Sequence, residues 1–252
     1  MKWKLLYIIF LPIVVVMGEP IKSNIGAFNT MFVYDSSSVD NPYITDGLIA
    51  FWDAEWNIGL GMHNETSTVW KELISGYDAV LTSHGTFGDN YLECDGIGYA
   101  ALIPSYPSSE EIVTIQYVFS ETTKRGIMAM FGLYRYAFDQ YNINQFGCSW
   151  NSPCYVNIGN PSGVNSMTIV YDVELNSVDN AYKGTQNIIV GTSGNPPKPN
   201  QDYGSIGGRF GMDTSSVARA FKLHAIRMYN RSLSYEEIKY NYEIDMIRFN
   251  IH

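Results

Sequence analysis

The last thirty residues constrain the fold more than any other stretch, because they predict a strand, a tight turn and a helix in succession. Residues 221–229, Phe-Lys-Leu-His-Ala-Ile-Arg-Met-Tyr, place apolar side chains on both faces of a strand. Such a strand is typical of the centre of a sheet that is covered on both sides. After the turn, Ser234 and Glu237 stand three residues apart. This spacing predicts a capping box, in which each side chain satisfies a backbone amide at the start of a helix over 235–249.

Two sets of apolar residues recur along this helix at a spacing of three to four: Tyr235, Ile238, Tyr242, Met246 and Phe249 in the first, and Tyr240, Ile244, Ile247 and Ile251 in the second. A helix that lies on one sandwich needs a single apolar face. We therefore expect the second stripe to be covered by segment 21–34, by another subunit in self-association, or by a membrane-proximal protein partner. A break from helix to strand near Asp245 is the alternative.

The rest of the chain predicts an all-β fold. Aromatic residues make up 14% of its 252 residues and there are 22 Gly, a combination that favours strands and turns. Short strands bounded by turn residues are predicted at 27–34, 47–54, 79–81, 91–94, 99–103, 112–120, 126–133, 155–158, 166–172, 181–185, 187–191 and 203–207. Many short strands with no long helical pattern before residue 234 indicate a two-sheet sandwich.

Charge and cysteine content exclude some classes of function. The formal net charge is −9, and an acidic chain repels phosphate backbones, so we expect no nucleic-acid partner. Three cysteines are too few for a disulfide scaffold. Cys148 and Cys154 close a short loop that a disulfide would bridge in an oxidising compartment. Two free buried thiols are the alternative, and Cys94 stays free in either case.

The amino terminus predicts export. Lys2 and Lys4 precede an apolar run over 5–17 and then Gly18, which is the pattern of a secretory signal peptide. The run is shorter than the roughly 20 residues of a membrane span, although an uncleaved anchor or a buried strand would also fit. We predict a signal peptide or anchor at 1–18, a lead-in segment at 19–45 and one domain at 46–252. The expected location is extracellular or at the cell surface.

Both ends of this domain resemble a known family. Gly47-Leu-Ile-Ala-Phe-Trp-Asp53 precedes a loop histidine, His63, and then Trp70-Lys-Glu-Leu73 before a Gly turn. The carboxy-terminal run from His224 to Ile238 completes the pattern. These features are similar to the LamG-like jelly-roll family of the concanavalin A-like lectin and glucanase superfamily. The resemblance implies an antiparallel jelly-roll sandwich with a C-terminal helix and is nearly silent about function.

Tryptophans on loops are the predicted ligand-binding residues. Trp150 lies in the loop between Cys148 and Cys154, and Trp56 lies beside a Gly-rich turn. An exposed indole on a rigid loop stacks on the face of a sugar ring by apolar contact. The alternative for both tryptophans is that the ring folds back to fill the end of the sandwich.

No catalytic residues are predicted. Glucanases of the superfamily carry a strand-borne Glu-x-Asp-x-Glu cluster, whereas Glu243 and Asp245 lie in the helical pattern, where their side chains point about 200° apart. Glu93 and Asp95 have strand spacing, and a solvated surface pair explains them.

No metal site is placed either. The four histidines are scattered, and no Cys-x-x-Cys or His-Glu-x-x-His spacing occurs. Calcium sites in related lectin-like domains use loop aspartates. The loop aspartates here are Asp89, Asp95, Asp202 and Asp213, and each is also explained as a turn residue.

These observations predict a secreted or surface-displayed, non-catalytic recognition module that binds a glycan or surface polysaccharide. A structural or adhesive jelly roll of a larger assembly, such as a surface layer or a phage particle, is the first alternative, and a glycoside hydrolase the second. Asn64-Glu-Thr66 and Asn230-Arg-Ser232 also match the N-glycosylation sequon, although a turn role explains Asn230 fully.

Overall fold

The computed structural model describes residues 40–107, 112–120, 126–131, 136–142, 145–147, 155–157, 163–172, 177–188, 203–208 and 220–251. All of these belong to one compact unit, Val39–His252. The predicted signal segment 1–18, the predicted strand 27–34 and the lead-in up to residue 39 lie outside the described residues.

The described residues form sixteen strands and one helix. The strands are β1 (Leu48–Asp53), β2 (Val69–Trp70), β3 (Ala79–Leu81), β4 (Gly85–Gly88), β5 (Tyr91–Asp95), β6 (Ala101–Ile103), β7 (Thr114–Ser120), β8 (Gly126–Phe131), β9 (Tyr136–Asn142), β10 (Gln145–Gly147), β11 (Tyr155–Asn157), β12 (Asn165–Asp172), β13 (Ser177–Lys183), β14 (Gln186–Asn187), β15 (Gly204–Ile206) and β16 (Ala220–Tyr229), and the helix is α1 (Tyr235–Phe249).

The strands form two antiparallel sheets. The first sheet has the order β14-β13-β12-β7-β16-β5-β4, with β1 also paired to β16, and the second has the order β11-β10-β9-β8-β15-β6-β3-β2. One apolar core lies between them and draws Trp52 and Ile226 from the first sheet and Trp70 and Phe131 from the second. The arrangement confirms the predicted all-β two-sheet sandwich with a C-terminal helix.

A β-bulge in β16 changes which of its residues face the core between the sheets. Its register with β7 shifts between Leu223 and Ala225. Leu223 before the bulge and Ile226 after it both face the core between the sheets, whereas Ala225 and Tyr229 face the other side. The extra residue at the bulge reverses the alternation of side chains. The prediction of a central strand covered on both sides is confirmed. Strand β7 pairs along one edge and β5 and β1 share the other, and both faces carry buried residues of an apolar cluster.

Strand β4, Gly-Thr-Phe-Gly, is absent from the predicted strands because glycine has low β-propensity. The structure shows why glycine is needed at its first position. A Cβ atom on Gly85 would lie 2.5 Å from the carbonyl oxygen of Ala100. The close approach of two backbones therefore selects a residue without a side chain, and the register with β5 places the strand.

The start of α1 has the predicted capping box. Ser234 accepts a hydrogen bond from the Glu237 N–H, and the Glu237 carboxylate accepts one from the Ser234 N–H at 2.8 Å. Arg231 adds two hydrogen bonds to the same carboxylate, at 2.6 and 2.9 Å. These bonds, chiefly those from Arg231, lower the pKa of Glu237 to about 2.

We expect Glu237 to make stability depend on acid pH. Because the folded-state pKa lies below the usual 4.5, the carboxylate contributes stability that is fully present above pH 4.5 and is lost as the pH falls towards 2. The difference in unfolding free energy between wild type and Glu237→Gln, from urea titrations at each pH, should therefore shrink over this range. A difference that stays constant with pH would contradict this origin.

The buried face of α1 differs from both predicted stripes. Its buried residues are Ile238, Asn241, Asp245 and Phe249. Two of these buried residues, Asn241 and Asp245, are polar and belong to neither predicted stripe. Four members of the stripes are exposed instead: Tyr235, Tyr240, Met246 and Ile247. The predicted alternative of a break near Asp245 is wrong, because the helix is continuous to Phe249.

Candidate recognition surface

A buried ion pair lies between α1 and the outer face of the first sheet. The guanidinium of Arg227, on β16, donates two hydrogen bonds to the carboxylate of Asp245, on the helix, at 2.8 and 2.6 Å. Both side chains are buried. Tyr43 and Ser166 donate to the same carboxylate, each at 3.0 Å. Burial opposes the charge on Arg227, but Asp245 outweighs it and raises the pKa of Arg227. Arg227 therefore keeps its positive charge in the folded chain.

Neutral polar groups complete the same network. The Gln116 side-chain oxygen accepts from Arg227 Nε at 3.0 Å and from Asn241 Nδ2 at 2.8 Å. The Gln116 amide donates to Thr168 at 2.9 Å. Asn241 Nδ2 also donates to the Tyr229 hydroxyl at 2.9 Å, and burial raises the pKa of Tyr229 to about 12. These groups satisfy one another and join α1 to the first sheet.

The structure places Trp56 in the interior, so the prediction of an exposed stacking ring at this position is wrong. Trp56 is 5% exposed, and the Arg248 guanidinium lies 3.7 Å from its ring centroid. Arg248 also donates to Asp53 at 2.7 Å and to Glu55 at 2.6 Å. Arg248 therefore occupies the face of the indole that a sugar ring would need.

The segment after β2 is held by one carboxylate. Glu72 is buried and accepts backbone N–H bonds from Phe51 at 2.6 Å, Ile74 at 2.9 Å, Ser75 at 2.5 Å and Gly76 at 2.6 Å. These bonds join the turn between β2 and β3 to strand β1 of the first sheet. They give a physical role to the acidic residue of the Trp-Lys-Glu-Leu motif.

The outer face of the second sheet carries a row of residues in register. We call this row the outer row; it consists of Val69, Val80, Leu102 and Ser205, which pair in sequence across β2, β3, β6 and β15. Their strand neighbours, such as Trp70 and Ala79, lie in the core. Because side chains alternate along a strand, the outer row points away from the core. Val80 is 47% exposed, while Ser205 is buried.

A charge pair lies beside the outer row. Lys71 directly follows β2 and Asp78 directly precedes β3, two residues from Val69 and Val80 of the outer row. Lys71 Nζ lies 2.5 Å from the Asp78 carboxylate, and both side chains reach solvent. We call the outer row together with Lys71 and Asp78 the candidate recognition surface. It offers apolar C–H groups, one ammonium donor and one carboxylate acceptor.

A histidine and an aspartate meet where β4 begins and β5 ends. His84 Nδ1 lies 2.9 Å from an oxygen of Asp95. Partial burial opposes ionisation of Asp95, but the hydrogen bonds from His84 and from the Ile97 N–H lower the pKa of this carboxyl group. The pair joins the turn before β4 to the end of β5. The His84 ring also lies so close to Gly98 that a Cβ atom there would be 2.5 Å from it.

The two acidic pairs noted in the sequence lie on α1 and at the end of β5. Glu243 is exposed on α1 while Asp245 binds Arg227 beneath it, as the helical spacing predicts. Glu93 and Asp95 are exposed at the end of β5. In the described part of the chain, no group of three or more His, Cys, Asp or Glu side chains is arranged to hold a metal ion. Asp89 is exposed in a turn, whereas Asp202 and Asp213 lie outside the described residues.

Several predicted residues cannot be placed. Trp150, Cys148 and Cys154 lie outside the described residues, so the second tryptophan and the disulfide remain predictions. Cys94 is buried and free, and burial raises its pKa well above the ordinary value. Within the described ranges, no helix combines the length and apolar character of a membrane span.

Sequence reasoning missed the residues that organise both faces. The network beneath α1 rests on Arg227 and Asp245, and the turn after β2 rests on Glu72. Their signals are visible only in retrospect. Arg227 is a lone charge in an apolar strand, and Asn241 and Asp245 stand four residues apart, which is one face of a helix.

Solved structures share the fold over most of the chain. A Trypanosoma rangeli sialidase in complex with sialic acid covers 84% of this chain at 16% identity and a TM-score of 0.58. The same sialidase in complex with 2,3-difluoro-KDN covers 80% at 18% identity and a TM-score of 0.60. This chain spans about a third of those sialidase chains, 34% and 33%. At such identity the likeness shows the fold alone.

A weaker match is the CBM40 of a Ruminococcus gnavus sialidase bound to α2,3-sialyllactose. It covers 51% of this chain and 80% of that module at 13% identity, with a TM-score of 0.39, which is too low to carry an argument. No protein-family model matches the sequence, and no curated protein matches it. The LamG-like resemblance of the two ends therefore stays a prediction.

Proposed function

We propose that this chain is an exported, non-catalytic recognition module of the LamG-like type that binds a glycan through the candidate recognition surface. In this proposal the segment 1–18 directs export and the domain 46–252 acts outside the cell or at its surface. A glycoside hydrolase is the less favoured alternative, because Glu243 and Asp245 lie on opposite sides of α1.

The difference between the two outer faces of the sandwich carries the proposal. The first sheet is covered by α1, and its polar groups satisfy one another through Arg227 and Asp245. No described element covers the outer row at Val80, which is 47% exposed. A ligand that reaches a sheet face of the described domain therefore meets the second sheet.

The composition of the candidate recognition surface favours a neutral glycan. Val69 and Val80 offer apolar contact to the C–H groups of a sugar ring, and Lys71 and Asp78 provide a donor and an acceptor whose charges balance. The net charge of −9 repels polyanions at long range. Sialylated glycans belong in the same test, because the sialidase that shares the fold is complexed with sialic acid.

A binding screen of the full chain tests the proposal. Immobilised neutral oligosaccharides, polysaccharides and sialylated glycans would be probed with the purified protein, and binding would be measured with and without calcium. We expect saturable binding to at least one neutral class. Absence of binding across the whole panel would contradict glycan recognition. Release of reducing sugar from a bound glycan would contradict the non-catalytic assignment and support the glycoside hydrolase alternative.

The exposed side of α1 favours a second function, that of a structural or adhesive subunit. Tyr240 and Ile247 of the second predicted stripe are 47% and 61% exposed. Large apolar side chains that point outward from a helix are typical of a protein interface. In this alternative the domain self-associates, or contacts a protein partner, through the helix.

We expect Ile244→Lys with Ile247→Lys to abolish self-association if the helix is the interface. The double variant should elute as a smaller species than wild type in size-exclusion chromatography with light scattering, at the same concentration. Circular dichroism reports whether the fold survives. A monomeric wild type would contradict self-association, and an oligomer that the variant leaves intact would place the interface elsewhere.

A further inference from the structure

We propose that Asn64 is an acceptor for N-linked glycosylation, a modification that rests on the proposed export of the chain. Asn64, Glu65 and Thr66 form the sequon Asn-x-Thr, and all three residues are exposed. Acceptors of this type lie on surface loops of secreted proteins. Here the sequon opens the turn that precedes β2, where Ser67 N–H donates to the Asn64 carbonyl at 3.1 Å.

Every polar group of Asn64 forms a hydrogen bond except the side-chain nitrogen Nδ2, which is the atom that would be modified. Its N–H donates to Asn57 Oδ1 and its carbonyl accepts from Asn57 Nδ2, both at 2.8 Å. Its side-chain oxygen accepts from the Thr66 N–H at 2.9 Å and from the Thr66 hydroxyl at 2.8 Å. Among the described residues, Nδ2 of Asn64 has no hydrogen-bond partner.

Asn57 makes this arrangement rigid. Its side chain is buried and forms two hydrogen bonds to the Asn64 backbone. The fold therefore fixes the backbone of the acceptor and leaves its side chain at the surface. A glycan at Nδ2 would extend into solvent without breaking any of the four hydrogen bonds.

The second sequon provides an internal comparison. Asn230 is exposed, but its N–H donates to the Gly47 carbonyl at 2.9 Å, and its side-chain oxygen lies 2.9 Å from where a Cβ of Gly47 would be. Arg231 in the middle of the sequon is tied to Asp46 and Glu237. We therefore assign the modification to Asn64 and not to the turn before α1.

The chemistry requires a lipid-linked oligosaccharide diphosphate as donor. Nδ2 of Asn64 would attack the anomeric carbon of this sugar and form an N–C bond. The bond from that carbon to the diphosphate oxygen would break and the lipid diphosphate would leave with the electron pair. The proton lost from Nδ2 would pass to water.

The experiment is expression of the full chain in a eukaryotic secretory cell, followed by gel mobility and peptide mass spectrometry with and without peptide-N-glycosidase. We expect a glycosidase-sensitive mass increase at Asn64 that Asn64→Gln and Thr66→Ala abolish and Thr66→Ser retains. Asn230→Gln is the matched control and should leave the increase unchanged.

A second version of the chain, fused to a cleavable secretory signal, separates the glycosylation proposal from the proposed export. If this fusion is glycosylated at Asn64 and the native chain is not, the acceptor stands and the proposed export fails. If the secreted fusion carries no glycan at Asn64, or carries one only at Asn230, the acceptor proposal is overturned.

Discussion

Replacement of Asp245 by Leu is expected to lower the unfolding free energy by about 3–5 kcal/mol, the usual cost of leaving one member of a buried ion pair without its partner. Arg227 would keep its charge beneath α1 and would lose the two hydrogen bonds that its terminal nitrogens donate to Asp245. Tyr43 and Ser166 would lose their acceptor as well. Urea unfolding followed by tryptophan fluorescence measures the loss.

A double-mutant cycle separates the ion pair from general damage to the helix. Arg227→Met combined with Asp245→Leu should lose clearly less stability than the sum of the two single variants, because no buried charge is left alone. Glu243→Ala is the control on the same helix. Its partner Lys239 lies 4.0 Å away and both side chains are exposed, so the expected loss is below about 0.5 kcal/mol. Additive single effects would contradict the proposed coupling.

Replacement of Glu72 by Ala is expected to cost about 2–4 kcal/mol, because hydrogen bonds to a charged group contribute about 1.5–3 kcal/mol each and the turn recovers part of the loss by hydration. The N–H of Phe51 is buried and would have no acceptor in place of Glu72. Glu72→Gln should also destabilise the chain, because its amide nitrogen would face backbone donors.

The control for this prediction is Glu65→Ala, a change at an exposed carboxylate on the neighbouring loop. It should change the unfolding free energy by less than about 0.5 kcal/mol. Both variants would be compared by thermal and urea unfolding at neutral pH. Equal stability of Glu72→Ala and wild type would show that the turn between β2 and β3 does not depend on this carboxylate.

The strand, turn and helix at the carboxy terminus could be predicted because their signals are local. Ser234 and Glu237 interact across three residues, and the apolar run of β16 needs only its own alternation to indicate burial. The strong strands β7 and β12 could be predicted nearly to their ends for the same reason. Strand β4 could not, because its position depends on the backbone of Ala100, which is distant in the sequence.

The environment of single side chains could not be predicted, because it depends on partners far along the chain. Trp56 is covered by Arg248, which arrives from the last turn of α1. From the sequence alone, Asp245 is a polar residue within an apolar pattern. Its partner Arg227 becomes visible only in the fold. The outer row is visible only from the register of four strands, each of which is two or three residues long.

The measurement that tests the central claim most directly is glycan affinity after a change at each outer face. Val80→Lys alters the candidate recognition surface, and Tyr240→Lys alters α1 at a residue of equal exposure, 47%. Calorimetric titration of both variants and wild type with a glycan bound in the screen should show at least about a tenfold weaker Kd for Val80→Lys, or about 1.4 kcal/mol. Tyr240→Lys should stay within about twofold of wild type. Unchanged affinity in Val80→Lys, or a loss confined to Tyr240→Lys, would contradict the assignment of recognition to the second sheet.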